Sequence, residues 1–370
     1  MPYPVQPVGD PLSAAPPTTR RVRSLDGLRG VAVLLVFVSH AKVPGFALAG
    51  GVGVTIFFTL SGFLITSLLL GEMGRTGSVS LRSFYMRRAL RLLPAVVVFV
   101  SMSVLMRTAT LTDAAWVMAY AGNWARIGHQ GLGALHHTWS LAIEEQFYLV
   151  WPVIFLLLAR TRTPVRWILG VAALGSIGST LQRCILWEGP SSMPRIHFGS
   201  DANANALLTG CGLAASFVLG HPRRIGRVAG TLAGAGLAIL SGVLAWFPDL
   251  AGIDMYSETF TFTWAWPLTA VLTAVLLAHL RDRRWAWLEW PPLCGMGTLS
   301  YGFYLWHMPF VDYVLPSLGD IPRGIAVGTV FLLSLAASLV SYFVVERPFL
   351  LWKRRYERVH IEPSNIPAAA

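Results

Sequence analysis

Charged side chains are scarce in this chain: they make up 13% of 370 residues, about half the fraction found in ordinary soluble domains. Hydrophobic residues make up 54%, and the mean hydropathy is +0.57. No polar block longer than a loop separates the apolar runs. The pattern excludes a soluble globular protein and predicts a single all-α domain embedded in a membrane.

Cysteines are also few, and their positions exclude two other classes. Cys184, Cys211 and Cys294 are isolated within apolar segments, without a C-x-x-C pair. A disulfide framework and a zinc site are therefore poor interpretations, and we expect neither a metal nor a tightly bound cofactor. The net charge of +11 would suggest a nucleic-acid partner in a soluble chain. Here the arginines lie between apolar runs, so membrane orientation explains them better and we expect no nucleic-acid partner.

Apolar segments of near 20 residues recur about ten times and predict a polytopic bundle of about ten transmembrane helices. The predicted spans are residues 27–43, 51–71, 92–108, 138–159, 166–186, 202–220, 226–247, 262–280, 294–314 and 324–345. A cytoplasmic N-terminus places 23 of the 29 lysines and arginines on the inner side, which predicts an N-in, C-in protein of the cytoplasmic (inner) membrane. Residues 111–130 are too polar to span and are predicted to form an interfacial or re-entrant helix.

The two ends of the chain differ from the membrane domain, which we place at residues 23–349. Residues 1–22 are rich in Pro, Ala and Thr and are predicted to be a disordered cytoplasmic tail. Residues 350–370 are predicted to be a basic cytoplasmic tail. The sequence leaves the oligomeric state open.

The first span carries ionisable side chains where lipid-soluble residues are expected. Arg29 and His40 are eleven residues apart, which is three helical turns, so they share one face roughly 16 Å apart along the axis. A lone histidine would be interpreted as a core residue bonded to a carbonyl. With Arg29 on its face and Asp26 a turn below, a functional histidine that takes or gives a proton is favoured. Asp26 and Arg29 are also spaced for a plain ion pair.

A second group of polar residues follows one stripe of the span at 138–159. The stripe consists of His137, Ser140, Glu144 and Tyr148. Glu144 falls at a depth similar to that of His40, which predicts a carboxylate that orients and polarises the imidazole. The alternative is that these groups lie at headgroup level or join helices. Glu145 points about 100° away and is placed at the interface.

Arginines gather at residues 80–94, before the third span. A short helix there would place Arg87, Arg88 and Arg91 on one flank, where guanidinium groups suit a phosphate. Spacing alone favours the alternative, that these are ordinary positive-inside charges satisfied by anionic lipid.

Two further stretches contain candidate side chains. His307 lies near the outer end of its span, with Tyr304 a turn before it, and both suit a cavity wall, although interfacial aromatic residues are the commoner cause. Ser61 and Gly62, in the sequence LSGFLI, are interpreted as a close packing point between helices.

Taken in order, these stretches resemble the acyltransferase-3 family of integral membrane acyltransferases, which includes bacterial O-antigen and exopolysaccharide O-acetylases and macrolide acyltransferases. The matching motifs are LDGLRG with His40 eleven residues after Arg29, then GVGVTIFFTLSGFLI, FYMRRALRLLP, HTWSLAIEEQFYLVWP, LSYGFYLWHMPF and VERPF. They cover residues 23–349.

The resemblance implies an enzyme that moves an acyl group, preferably acetyl, from cytoplasmic acyl-CoA to a hydroxyl, usually on a sugar. It implies His40 as the catalytic residue, Glu144 at the family's acid position, and a variable position at Glu145. Arg29, Arg88 and Arg91 would serve the donor. Many relatives carry an extracytoplasmic hydrolase-like domain, so this chain is expected to be the stand-alone form, with a separate extracytoplasmic partner left open.

Several alternatives remain open at this point. The acceptor could be a cell-envelope glycan, a glycolipid or a macrolide-type metabolite, and transfer could be direct or through an acyl-histidine. The runner-up is a permease or flippase that uses the same polar groups as a solute pathway. A structural scaffold in membrane lipid would leave His40 and Glu144 unexplained.

Overall fold

Every regular element in the described part of the chain is helical. The computed structural model describes residues 23–220, 226–246 and 259–353. Its helices are α1 Arg23–His40, α2 Ala49–Thr76, α3 Leu81–Leu105, α4 Leu111–Met118, α5 Gly122–Ile127, α6 Trp139–Ala159, α7 Pro164–Leu186, α8 Met193–Phe198, α9 Ser200–Val218, α10 Arg227–Trp246, α11 Trp266–Asp282, α12 Pro291–Pro309, α13 Arg323–Val340 and α14 Arg347–Lys353.

Shorter turns extend or join several of these helices. They are 3₁₀ turns at Gly133–Thr138 and Pro190–Ser192, π-helical turns at Thr261–Ala265, Phe310–Val314 and Ser341–Glu346, and a last turn at Leu315–Ser317. The π turn after α12 follows Pro309, which lacks a backbone N–H and cannot continue the regular α-helical ladder.

Each of the ten predicted spans overlaps a helix in the described residues, although the bounds differ, most of all for the third span, whose helix begins at Leu81. Six helical stretches in the described residues are long and apolar enough to cross a membrane: Ala49–Thr76, Leu81–Leu105, Gly133–Ala159, Pro164–Leu186, Thr261–Arg281 and Arg323–Trp352. The protein is therefore a multi-pass membrane protein, while the count of ten and the orientation stay predictions. The predicted N-terminal tail, residues 1–22, lies outside the described residues. So do residues 354–370 of the predicted C-terminal tail and residue 247 of the seventh predicted span.

Two sequence predictions about local structure need correction. The basic stretch 80–94 is not a separate short helix, because α3 runs through it and through Pro94 as one helix. Proline is tolerated inside membrane helices, where neighbouring groups satisfy the backbone. Residues 111–130 form two helices instead of the one predicted, α4 and α5, of eight and six residues; each is too short to span, in agreement with the prediction that this stretch does not cross the membrane.

Close helix packing places α1 and α2 at the centre of the bundle. α1 packs between α2 and α12, and both α2 and α7 pack along α9. At the crossing of α2 and α9, a Cβ on Gly62 would overlap the carbonyl oxygen of Leu207. Only glycine allows the two backbones to approach this closely, which fixes the face that α2 turns towards α1 and α6.

The turn that leads into α9 is tied by an ion pair outside the predicted spans. Arg195 donates to the Asp201 carboxylate at 2.5 Å, and Gln182 of α7 donates to the same carboxylate. The hydrogen bonds from the Arg195 guanidinium hold the pKa of Asp201 below its usual value. This pair fixes the position of α8 against the start of α9.

Candidate active site

A long cavity runs between five helices and collects most of the predicted site residues. Its volume is about 550 Å³, and its walls come from α1, α2, α3, α6 and α12. The lining residues of α2 extend from Val54 to Arg75, which at 1.5 Å per residue is roughly 32 Å along the helix. That length is similar to the thickness of a bilayer's hydrocarbon core, about 30 Å.

Charge in this cavity is concentrated on α3 and on the end of α2. Its ionisable lining residues, apart from tyrosine, are Arg29, Arg75, Arg87, Arg88, Arg91, Glu72, Glu144 and Glu145. The three arginines predicted on one flank of α3 do line one cavity, as their spacing suggested. Five cations against three carboxylates make this wall a place for an anionic ligand.

The arginines on α3 are not equivalent. Arg87 donates to Glu72 at 3.1 Å, so its charge is already paired. The guanidinium of Arg88 lies 3.7 Å from the centre of the Tyr148 ring, a cation–π contact. In the part of the chain that the structure describes, neither Arg88 nor Arg91 forms a salt bridge. These two guanidinium groups are available to a ligand.

Arg29 contributes a third such cation from α1. Its Nη2 donates to Ser300 of α12 at 3.1 Å, and its Nε has no partner among the described residues. Asp26 lies within electrostatic range of Arg29. Arg29 nevertheless forms no salt bridge within the described ranges, so the plain ion pair considered from sequence is not formed.

Glu144 lies in the cavity wall, and among the described residues no hydrogen bond joins it to His40. Its carboxylate accepts short hydrogen bonds from the Ser61 hydroxyl and the Tyr148 hydroxyl. The expectation that Glu144 orients the His40 imidazole is therefore wrong, because both donors to this carboxylate come from elsewhere. The interpretation of Ser61-Gly62 as a close packing point is confirmed at Gly62, which makes the contact with α9, while Ser61 beside it lines the cavity.

Glu145 is buried rather than placed at the membrane interface. It is 9% exposed, lines the cavity, and one carboxylate oxygen, Oε1, has no hydrogen-bond partner among the described residues. Sequence reasoning missed this because it counted one buried face on α6. Glu145 faces Arg88 and Arg91 of α3 and Tyr301 of α12, so these two helices cover a second face of α6.

The polar stripe continues beyond α6 into α12. Ser140 Oγ lies 2.7 Å from the Tyr304 hydroxyl, which donates to the carbonyl of His137 at 2.5 Å. The His137 side chain is buried, with its ring centre 5.2 Å from that of Tyr304 and 5.4 Å from that of His307. Tyr304 therefore lies between one end of the cavity and a group of histidines that includes His137 and His307.

His40 belongs to this histidine group. Its Nδ1 lies 2.9 Å from Nε2 of His307, and the two rings stack with centres 5.2 Å apart. His136, which is partly exposed, places its Nε2 3.2 Å from a carboxylate oxygen of Asp312. The sequence predicted His40 and His307 separately and missed the pair. Both residues lie in the C-terminal half of a predicted span, and this shared position was the signal that could have joined them.

The cavity is lined by cations that can hold an anionic carrier, and Tyr304 separates its end from an imidazole that can move a proton. This arrangement is that of a membrane enzyme that transfers a group from an anionic carrier. Residues 22–346 match the family model Acyl_transf_3, described as an acyltransferase domain, and the chain belongs to that family.

Curated relatives agree with this assignment. The chain is 33% identical over 328 residues to the peptidoglycan O-acetyltransferase OatA of Listeria monocytogenes, covering 80% of this chain and 50% of that protein. It is 33% identical over 358 residues to a putative peptidoglycan O-acetyltransferase, YrhL, of Bacillus subtilis, covering 89% of this chain and 55% of that protein. A putative O-acetyltransferase of Staphylococcus aureus is 31% identical over 380 residues, with coverages of 94% and 60%.

The chain thus spans 50% to 60% of the length of these relatives. No solved structure gives a significant match to it. Family membership and the membrane helices together establish a multi-pass membrane acyltransferase domain of the kind that O-acetyltransferases carry.

Proposed function

We propose that this protein transfers a small acyl group, acetyl by preference, from cytoplasmic acyl-CoA to a sugar hydroxyl, with His40 as general base. One observation carries the proposal. The cavity begins at the arginines of α3, of which Arg88 and Arg91 form no salt bridge within the described ranges. It ends at Tyr304, which packs on the His307 that bonds His40. An anionic carrier held at one end would place its far end beside an imidazole.

The topology that fits this reaction has about ten spans, with both termini in the cytoplasm. The strong excess of arginine on one side of the predicted spans supports it. In this orientation the first half of α3 faces the cytoplasm, where acyl-CoA is found, and His40 lies in the outer half of α1. The membrane is then the cytoplasmic membrane.

Donor binding would rest on the guanidinium groups that form no direct salt bridge in the described part of the chain. Arg88 and Arg91 would take the phosphates of CoA through charge-assisted hydrogen bonds, and Arg29 would meet the ligand deeper in the cavity. The slender pantetheine arm suits the middle of the cavity, where Leu60 and Leu64 form an apolar wall. The thioester would then reach the level of Tyr304.

In the chemical step the His40 imidazole would remove the proton of the acceptor hydroxyl as its oxygen attacks the thioester carbonyl. The C–S bond breaks, and the CoA thiolate takes the proton back from the imidazolium. Glu144 would act on the donor side, where it holds Ser61 and Tyr148 and balances the charge of Arg88. A two-step route through an acyl-histidine obeys the same proton balance.

The acceptor class follows from the relatives. Two of them are named as peptidoglycan O-acetyltransferases, one of these as putative, so a cell-envelope glycan is the acceptor we propose first. If a screen with glycans finds no acetylated product, a glycolipid or a macrolide-type metabolite would be the next acceptor to test.

Purified protein in nanodiscs, supplied with acetyl-CoA and soluble glycan fragments, tests the proposal. We expect release of free CoA and a glycan product heavier by one acetyl group, and loss of both in His40→Ala with an unchanged elution profile. A permease would move glycan across the bilayer without releasing CoA. Normal turnover by His40→Ala would refute the assignment of the base.

A further inference from the structure

The hydrogen bonds of His307 determine which of its ring nitrogens carries a proton. Nδ1 of His307 lies 2.8 Å from the carbonyl oxygen of Tyr304 and 3.2 Å from that of Phe303. A carbonyl oxygen only accepts, so Nδ1 must be the protonated nitrogen and donate to them. A neutral imidazole has one N–H, which leaves Nε2 of His307 as an acceptor.

This arrangement fixes the tautomer of His40 in turn. His40 Nδ1 lies 2.9 Å from the acceptor Nε2 of His307, so His40 Nδ1 carries its proton and donates. The lone pair of neutral His40 is then on Nε2. Hydrogen bonds therefore run from His40 Nδ1–H to His307, and from His307 Nδ1–H to the backbone carbonyls of α12. In other proteins a carboxylate or a carbonyl group fixes the ring of a functional histidine in the same way.

Packing holds the two rings in this geometry. The His307 ring lies parallel to Phe303, at an interplanar angle of 4°, and Phe37 meets it edge-on. His307 is 1% exposed, so water does not compete for its Nε2. Among the described residues no carboxylate bonds His40, and the neutral His307 takes the place that an acid would have.

We propose that His307 is the positioning residue of the site: it holds His40 as the Nδ1–H tautomer and makes Nε2 the nitrogen that reacts. The tautomer follows from the hydrogen bonds alone, and only its catalytic consequence rests on the proposed function. When Nε2 of His40 takes a proton, the His40 Nδ1–H bond to His307 becomes charge-assisted, which stabilises the imidazolium. A dyad without a carboxylate does this without a second buried charge.

Variants of His307 separate positioning from a structural role. Gln places its amide oxygen near the position of Nε2 and can still accept from His40, whereas Asn is too short and Phe has no acceptor. We expect His307→Phe and His307→Asn to lower kcat by about a hundredfold, within the range of general acid–base effects. The KM for acetyl-CoA should stay within about twofold, and His307→Gln should recover at least about a tenth of the kcat. His279→Gln, a buried histidine on α11 away from the site, is the matched control and should leave both constants unchanged.

Nitrogen NMR of protein labelled with ¹⁵N-histidine reads the tautomer without any turnover. We expect the His40 signals, assigned by their loss in His40→Ala, to show a protonated Nδ1 in the wild type and in His307→Gln, and a protonated Nε2 in His307→Phe. A wild-type His40 protonated at Nε2 would overturn the inference, and so would an unchanged tautomer in His307→Phe. If the tautomer is as expected but no His307 variant changes kcat, the positioning role of His307 in catalysis fails, the hydrogen-bond assignment stands, and the role of His40 is decided separately by His40→Ala.

Discussion

Replacing Arg91 by glutamine is expected to weaken binding of the acyl donor far more than the same change at Arg87. The two arginines are one helical turn apart on α3 and line the same cavity. Arg87 already donates to Glu72 at 3.1 Å, while Arg91 forms no salt bridge in the described segments. The Arg91 guanidinium can therefore bind a phosphate of the ligand, whereas the Arg87 guanidinium is largely occupied by Glu72.

The size of the effect follows from the strength of one charge-assisted hydrogen bond. Such bonds contribute about 1.5–3 kcal/mol, and each 1.4 kcal/mol is a factor of ten in affinity. Arg91→Gln should thus raise the KM for acetyl-CoA by about 10- to 100-fold. Arg87→Gln should raise it by less than about threefold, because the partner it loses is Glu72 rather than the ligand.

Initial rates with two donors make the test specific. Acetyl-CoA carries the phosphates, whereas acetyl-pantetheine has the same thioester without them. Arg91→Gln should leave the KM for acetyl-pantetheine within about twofold of the wild-type value. An equal loss with both donors, or equal effects of the two arginines, would refute phosphate binding at Arg91.

Three further predictions concern other parts of the molecule. Glu144→Gln should raise the KM for acetyl-CoA with little change in kcat, whereas His40→Gln should lower kcat. If both variants lowered kcat, Glu144 would have to take part in proton transfer. Gly62→Ala should lower thermal stability in detergent by about 1–3 kcal/mol through overlap with α9, while Gly178→Ala, with no atom within 4 Å, should not; equal melting temperatures would contradict the packing assignment. The pKa of Asp201 is held below its usual value, so its stabilising contribution is complete at neutral pH and is lost as the pH falls below about 4; Asp201→Asn should flatten this part of the melting curve against pH.

Sequence alone determined the class of this protein and the positions of most of its apolar helices. Hydropathy places a helix on each of the ten predicted segments because a backbone in lipid must satisfy its own hydrogen bonds. Only six of the described helical stretches combine the length and the apolar character of a span. α1 falls outside this set because its 18 residues carry three charged side chains, the same feature that marked it as functional.

Tertiary structure decided how the candidate residues are grouped. Helical spacing put Ser140, Glu144 and Tyr148 on one stripe, and all three line the cavity. Spacing carries no information about which other helix faces that stripe, so Glu144 was expected at His40 and lies instead on Ser61. Burial of Glu145 was missed for the same reason, since a second covered face depends on neighbours distant in sequence.

The histidine pair shows this division most clearly. The sequence marked His40 by its spacing from Arg29, a property of one helix. Its partner His307 is 267 residues away, and only the packing of α1 against α12 brings the two rings to 2.9 Å between nitrogens. Local periodicity sets the face on which a side chain lies, whereas contacts between faces depend on how the helices pack. The sequence therefore marked His40 as the candidate residue, and the fold determined its hydrogen-bond partner.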